Sequence, residues 1–597
     1  MKYRIEIQKR PSGNYYLYRA DYREDGKVKS KRIYIGEEKQ ALKIIADITG
    51  NTGVNEKLIE FSGPLLLDYI AQKLKLSKII NKSITANTEY DAGLLLQLTL
   101  MTRVLHPESK YTLAKLWLEK SYLFEKYNFA PLEIYENLIY QYMDYLHPHL
   151  LTIQKELVKN IFKNFSLQSD ELLFDGTSFK SFGLDEKDNE EEDLEDETDE
   201  TYRTNQKEEI LIDQENPPSY LKPIKRLHGY ARDKRKDLAQ INYMLGINGE
   251  YVPFYFELFS GNVADVEMFL TTLKRLQKEF PFLLTHFKHK FILFDKGNWN
   301  DKVLKNLKKI CTNYDCCFIA AIRSSLIDDQ IATIDLQHGT ILIENNYGAL
   351  VGQVIDFILY REPVKCLVYK IPVIASKDRD DLEKRISSTD KTITKLENDK
   401  SMTVNEFYKE IKSELRKNKL SFYYTIEKPK NGQETRPQVK KKEEYTKTKL
   451  LMCGVFVLAT NNLTLSAEKM YSLYHSKNVV EQSFHLYKDL FEARNVFHSR
   501  SDRIETHFSL VSWGFMLVSL LKSELARIGL NLSFEQLLVF IKGSFLSKMD
   551  FIYPEFKSYT TQRVINLYPE LQNVFKSFGL SFDLFSIDVL PTVEVQK

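Results

Sequence analysis

The sequence predicts an α/β (α+β multidomain) protein whose central sheet is interrupted by a long β-rich insertion. Three observations carry this. Two short apolar strands, around Glu171–Asp175 and His289–Asp295, each end in Phe-Asp followed within two residues by Gly. Between them lie a hairpin pattern and a helix pattern, an order that can return the chain to a neighbouring parallel strand. A strand-rich stretch then separates Asp295 from a charged helical segment, Tyr474–Lys488.

Size and composition set the outer limits. A chain of 597 residues holds several domains. The net charge of +2 gives no general basic excess from which to argue nucleic-acid binding. The cysteines number five, and Cys311, Cys316 and Cys317 cluster with no zinc-spaced partners. They read as free structural thiols in a reducing cytoplasm. The N-terminal Met-Lys-Tyr-Arg-Ile-Glu has no apolar signal core. The longest apolar run, Phe508–Leu521, is short for a bilayer and reads as a core helix, so no membrane partner is expected.

Taken in order, residues 1–56 form a basic hairpin region. Strand patterns flank Asp25-Gly26, and Lys27, Lys29, Lys31 and Arg32 interleave with Tyr15, Tyr16, Tyr18 and Tyr34. Such a sheet either lies on DNA or is an ordinary exposed hairpin. Residues 57–165 are helical by period, with breaks at Gly63-Pro64, His106-Pro107, Ala130-Pro131 and His147-Pro148, and read as a helical DNA-binding domain. Residues 166–310 carry both Phe-Asp strands. An acidic run from Asp185 to Glu200 opens a self-repelling loop over 185–216. Hairpin strands follow about Asn248-Gly249, then a helix from Val266 to Phe280 capped by Asp265 or Asn262. Residues 311–449 are the insertion: strands to Ile374, charged helices over Asp378–Lys419, then a basic loop over Lys428–Lys449. Residues 450–530 resume with a buried strand from Leu450, the Tyr474–Lys488 helix, and a basic track of Arg494, His498, Arg500 and Arg503. Residues 531–597 read as a helical tail.

If the two Phe-Asp strands are parallel neighbours, Asp175 and Asp295 emerge together where ligands gather in open α/β sheets. The Tyr474–Lys488 segment contains no Gly or Pro and reads as one helix. At about 100° per residue, Lys477, Glu481 and Lys488 fall roughly 60°, 20° and 40° back from Tyr474. They share one stripe, with Val479, Leu486 and Leu490 behind. A carboxylate flanked by cations and a phenol suits a metal ion beside a phosphate, or a solvated face with an ordinary Glu–Lys pair.

In this combination the chain resembles the DDE transposases of bacterial insertion sequences. It looks closest to the group with a Tyr-x2-Arg-x3-Glu-x6-Lys signature and a β-strand insert before the glutamate. Here the signature stands as Tyr474, Lys477, Glu481 and Lys488, with every spacing kept. Asp175 and Asp295 match the first and second catalytic aspartates. Other matching pieces are Arg103–Lys110, Gly229–Asp233, Asp237–Gln240, Phe259–Asn262 with Asp265, Asn495–His498 and Arg503–His507. Lys477 and Lys296 stand where the family shows Arg. Lysine keeps the charge but loses the planar, bidentate grip on phosphate.

The resemblance implies a ribonuclease-H-like core in which Asp175, Asp295 and Glu481 hold two Mg2+ (or Mn2+) ions. It implies that Tyr474, Lys477 and Lys488 grip DNA, helped by Arg494, His498 and Arg503. Trp299 would either stack on an unpaired base or pack beneath the site. The partners implied are double-stranded DNA, as terminal inverted repeats and target, and a second copy of the chain that pairs the two ends in the bacterial cytoplasm. The alternatives are a ribonuclease-H-like nuclease that cuts without joining, and an inactive DNA-binding remnant.

Overall fold

The computed structural model describes residues 2–9, 15–22, 28–36, 54–84, 86, 88, 90–129, 135–183, 185, 223–230, 237–336, 339–345, 348–429, 436–492, 495–496, 498–551, 559–580 and 585–589. The chain divides into two compact units. One comprises Met1–Ile70, Ser109–Glu136 and Glu524–Lys597; the other comprises Ala71–Glu108 and Asn137–Ser523. The helical stretch 57–165 is thus shared between them.

In the first unit, β1 (Lys2–Lys9), β2 (Tyr15–Tyr22) and β3 (Val28–Gly36) form an antiparallel meander, with Tyr22 opposite Val28. The Asp25-Gly26 turn and the side chains of the basic, tyrosine-rich face lie outside the described residues. β4 (Val54–Glu60) pairs with Phe545–Phe551, which pairs with Tyr559–Ile565, and that in turn with Phe585–Val589. The tail is therefore not simply helical: it supplies three strands of a four-stranded sheet beside helices Phe534–Lys542 and Pro569–Ser577. The β-branched run Tyr559-Thr-Thr-Gln-Arg-Val-Ile is the local reason. Gly63-Pro64 does not break a helix but lies in the first turn of Ser62–Leu74, where a missing N–H costs nothing.

The second unit is built on one mixed sheet. Its strands are β5 (Glu171–Ser181), β6 (Ala239–Asn248), β7 (Pro253–Ser260), β8 (Phe291–Phe294), β9 (Cys317–Ile322), β10 (Thr340–Asn345), β11 (Gly348–Leu359), β12 (Glu362–Lys370), β15 (Val455–Thr460) and β16 (Asn495–Val496). The order is β10-β11-β12-β15-β9-β8-β5-β6-β7, with β16 on β5. β5, β8 and β9 run parallel. The flanking pairs are antiparallel. Every residue of β6 is buried, as expected of a strand covered on both faces. Gly246 on β6 leaves room for the Phe174 ring; a Cβ there would meet Phe174 Cε1 at 2.5 Å. The β6–β7 turn is held by Asn248, whose Oδ1 accepts from the Val252 N–H at 2.9 Å.

Helix Asp265–Glu279 has Ala264 at its N-cap rather than Asp265 or Asn262, because Asn262 lies too far back and Asp265 is already helical. The insertion extends the sheet beyond β9: β12 pairs with β15, and β15 returns the chain to β9. Its charged helices, Pro372–Asn398 and Val404–Lys417, are not wholly solvated. Ile386, Ile393, Phe407, Ile411 and Leu415 build a small core of their own. The expected basic loop carries a strand, β14 (Val439–Lys441), which pairs with β13 (Tyr424–Ile426) just before the loop, and most of a helix, Glu443–Met452. The following buried strand therefore begins at Val455, not Leu450.

Helix Ser501–Arg527 is long and apolar enough to cross a membrane by length and composition, but its apolar window is 94% buried inside the protein.

Candidate active site

β5 and β8 are parallel, with Leu173 opposite Leu293. Two residues beyond that pair stand Asp175, still within β5, and Asp295, the first residue past the end of β8. Asp175 is mid-strand rather than terminal, because β6 pairs with β5 from Leu172 through to Ser181 and keeps it extended. The other edge of β5 is used differently. β8 takes Glu171–Leu173, and β16 takes Lys180–Ser181. Among the described residues, these two partners leave a gap between them, and Asp175 and Thr177 stand along it. Asp175 Oδ1 accepts from the Gly176 N–H, and Asp295 Oδ1 from the Lys296 N–H, each at 2.8 Å.

The segment bearing Glu481 is not one helix. Helix Ala467–His475, N-capped by the Ser466 hydroxyl, packs Met470 and Tyr471 on Leu367, Tyr369 and Leu458 of the insertion side of the sheet. At its end Ser476 Oγ donates to Leu473 O at 2.7 Å. The Lys477 N–H then bonds back to Tyr474 O at 3.1 Å, a tightened turn. A short helix, Asn478–His485, follows and passes into a π-helical turn, Leu486–Leu490. These two irregularities shift the helix phase. The buried side is Val480, Phe484, Leu486 and Tyr487, rather than Val479, Leu486 and Leu490.

The broken helix still brings the expected side chains to the aspartates. The Tyr474 hydroxyl donates to Asp295 Oδ1 at 3.2 Å. Lys477 Nζ lies 3.4 Å from Asp295 Oδ2 and 3.9 Å from Glu481 Oε1. Lys477 is only 7% exposed, whereas the Glu481 side chain is 60% exposed. Burial works against ionisation of Asp295. The Lys477 charge, the Lys296 N–H and the Tyr474 hydroxyl outweigh it and hold this carboxyl below the usual carboxylate range. Burial first, then the negative charges of Asp295 and Asp175, push the Tyr474 phenol far above its ordinary value. Tyr474 is a neutral donor here. Lys488 Nζ donates to Thr177 Oγ1 at 2.8 Å and lies 5.5 Å from the Phe179 ring centre.

The remaining candidates divide. Trp299 is packed beneath the site: it is 9% exposed, its indole N–H donates to Ala321 O at 2.6 Å, and its ring lies against Phe294 and Phe318. It offers no face to a base. Arg503 is engaged within the chain, its Nε and Nη2 reaching Asp144 Oδ1 and Oδ2 at 2.8 and 2.9 Å. The His498 ring lies against Tyr140 and His507. Arg494 lies outside the described residues.

Two further features escape a reading of the sequence. Thr177 follows Asp175 by two residues, so the strand period alone could have put it on the same face. A buried hydroxyl cluster joins β6 to the helices over the site: Tyr243 Oη lies 2.7 Å from Ser512 Oγ and 3.3 Å from Tyr487 Oη. Nothing local in the sequence signals that cluster.

No protein-family model matches the chain, and no curated protein matches it. A piggyBac transposase synaptic complex with hairpin DNA is a distant solved neighbour, with 9% identity, 81% of this chain and 80% of that chain covered, and a TM-score of 0.35. A superposition that loose supports neither a fold nor a function, so the site is read from its own residues. Among the described residues, no group of three or more His, Cys, Asp or Glu stands ready to hold a metal ion. Asp295 and Glu481 instead converge on the Lys477 ammonium.

Proposed function

We propose that this chain is a DNA transposase with a ribonuclease-H-like core, which cleaves DNA at element ends and joins those ends to a target. The observation that carries the reading is the parallel pairing of β5 with β8, from which Asp175 and Asp295 each follow two residues after the Leu173–Leu293 pair, with Tyr474 and Lys477 reaching Asp295 from the segment that bears Glu481. The spacing of Tyr474, Lys477, Glu481 and Lys488 supports it from the sequence side.

The donor chemistry fits the implied cofactor. Asp175, Asp295 and Glu481 supply hard carboxylate oxygens, which favour Mg2+ or Mn2+ over zinc. Asp295 is held as the anion that such an ion needs. In this reading the three carboxylates hold two ions, which when bound supply Lewis-acid activation of water or a 3′-hydroxyl and stabilise the leaving oxygen.

The chain's own side chains do the rest. Lys488, fixed by Thr177 at the open edge of β5, offers its charge to a phosphate of the DNA end. Tyr474 keeps its proton and orients the Asp295 carboxylate. The substrates are the terminal inverted repeats and a target duplex, and two copies of the chain would hold the two ends. The test is purified protein with a duplex carrying the repeats that flank its coding region. Mg2+-dependent scission at the repeat boundary is expected, and its loss in Asp175→Asn, Asp295→Asn and Glu481→Gln with end binding retained. Normal scission by any of these variants would overturn the assignment.

A further inference from the structure

Lys477 sits where a phosphate-gripping residue should not. It is almost fully buried, and its ammonium lies between Asp295 at 3.4 Å and Glu481 at 3.9 Å, with its Nζ 5.8 Å from the centre of the Tyr474 ring. A side chain reaching out to DNA would be exposed. This one is turned inward onto two of the three carboxylates assigned to metal. Two cations therefore compete for the same oxygens: the ammonium that the fold supplies and a divalent ion that arrives from solution.

We propose that Lys477 is a built-in counter-cation that gates metal loading, and that a DNA phosphate draws it away. The proposal rests on the metal-binding reading above and adds its regulation. The reasoning is electrostatic. Two carboxylates that approach one point repel unless a cation lies between them, and Lys477 supplies that cation without an ion. A divalent ion must displace that ammonium before it can take the same oxygens. Lysine suits the task better than arginine, because its charge is compact and rides on a flexible four-carbon stem that can swing out. The turn at Ser476–Lys477 places the base of that stem at a break between helices, not inside one.

A phosphate approaching Lys488 and Thr177 offers the Lys477 ammonium a competing anion. DNA binding and metal binding then favour each other through one side chain, and the coupling is reciprocal. An end-bound protein would load metal readily, while a free protein would resist it. That arrangement restrains cleavage away from the element end.

The test reads metal binding, not activity. Mn2+ binding to the whole chain is followed by electron paramagnetic resonance of free Mn2+, with and without a duplex of the end sequence. Lys477→Met keeps the stem's bulk and removes the charge; Lys477→Arg keeps a cation. Thermal melts of both variants check that they fold. Without DNA, Lys477→Met is expected to bind Mn2+ more tightly than the parent by roughly tenfold or more, the scale of one unit charge a few ångströms away. DNA should tighten Mn2+ binding in the parent but have much less effect in Lys477→Met. Lys477→Arg should not show the DNA-free gain. Equal or weaker Mn2+ binding by folded Lys477→Met, or equal tightening by DNA in both proteins, overturns the gate. Asp295→Asn and Glu481→Gln separate the two claims. If they lose Mn2+ while Lys477→Met gains nothing, the site stands and the gate falls. If they bind Mn2+ as the parent does, the metal site itself is wrong and the gate falls with it.

Discussion

The two halves of the candidate site are built to different standards. The aspartate half rests on parallel strands deep in a sheet, with Asp175 within β5 and Asp295 just past the end of its neighbour β8. The glutamate half rests on a segment broken twice, at Ser476–Lys477 and at Leu486–Leu490, with Glu481 largely exposed. Strands in a sheet share hydrogen bonds across their length, so one residue cannot move alone. A short helix between a tight turn and a π-turn can pivot. On the proposed reading, the strand-borne half sets where the chemistry happens and the half bearing Glu481 sets when.

The largest expected effect breaks the strand-borne half outright. Asp295→Asn should lower end cleavage by about 10³-fold or more, with end binding nearly unchanged in a gel-shift measurement. Next is the support behind the strands. Arg275 on helix Asp265–Glu279 pairs with Glu257 of β7, which is buried and also receives the Tyr255 hydroxyl. Burial raises the Glu257 carboxyl despite Arg275. Arg275→Met leaves that group without its cation and should cost about 3–5 kcal/mol, read from the urea midpoint.

A smaller change sharpens the half bearing Glu481. Tyr487→Phe removes one hydroxyl from the cluster with Tyr243 and Ser512, the buried tie between this segment and β6. It should cost about 1 kcal/mol in the same unfolding measurement. The smallest effect is at Asp144. The hydrogen bond from Arg503 comes first among the causes that hold its carboxyl below the usual range. A depressed folded pKa gives stability that is complete above the unfolded value, about 3.9, and is lost as pH falls through the folded value. Asp144→Asn should therefore flatten the acid limb of the stability curve by less than about 1 kcal/mol. A variant with an unchanged acid limb would show that this pair contributes nothing.

The difference between the halves is also a difference in what the sequence reveals. Strand patterns and the Phe-Asp repeats are legible because a strand's period is short and its pairing is conveyed by apolar runs. Hence the parallel pair and the hairpin between them can be read with few errors. The Tyr474–Lys488 segment is legible as chemistry but not as geometry. Its composition favours a helix throughout, and the breaks at Ser476–Lys477 and Leu486–Leu490 leave no mark in that composition. Lys477 looks like a hand for DNA because charge on a helix face suggests solvent; its burial depends on Asp295, far back in the chain. The surroundings of Trp299 and Arg503 are hidden from the sequence for a related reason. The acceptor of the Trp299 indole, Ala321 O, and the partner of Arg503, Asp144, are set by the fold and not by neighbours in sequence. The C-terminal strands stay hidden because their sheet is completed by β4, at the far end of the chain.

The central claim is that Asp175, Asp295 and Glu481 act together to join DNA, and strand transfer from pre-cut ends tests it most directly. A duplex ending in the element's 3′-hydroxyl is incubated with a target plasmid, Mg2+ and the protein. Joined product is expected with the parent chain and none with Glu481→Gln. Joining by Glu481→Gln at the parent's level, or cleavage by the parent with no joining at all, would contradict it.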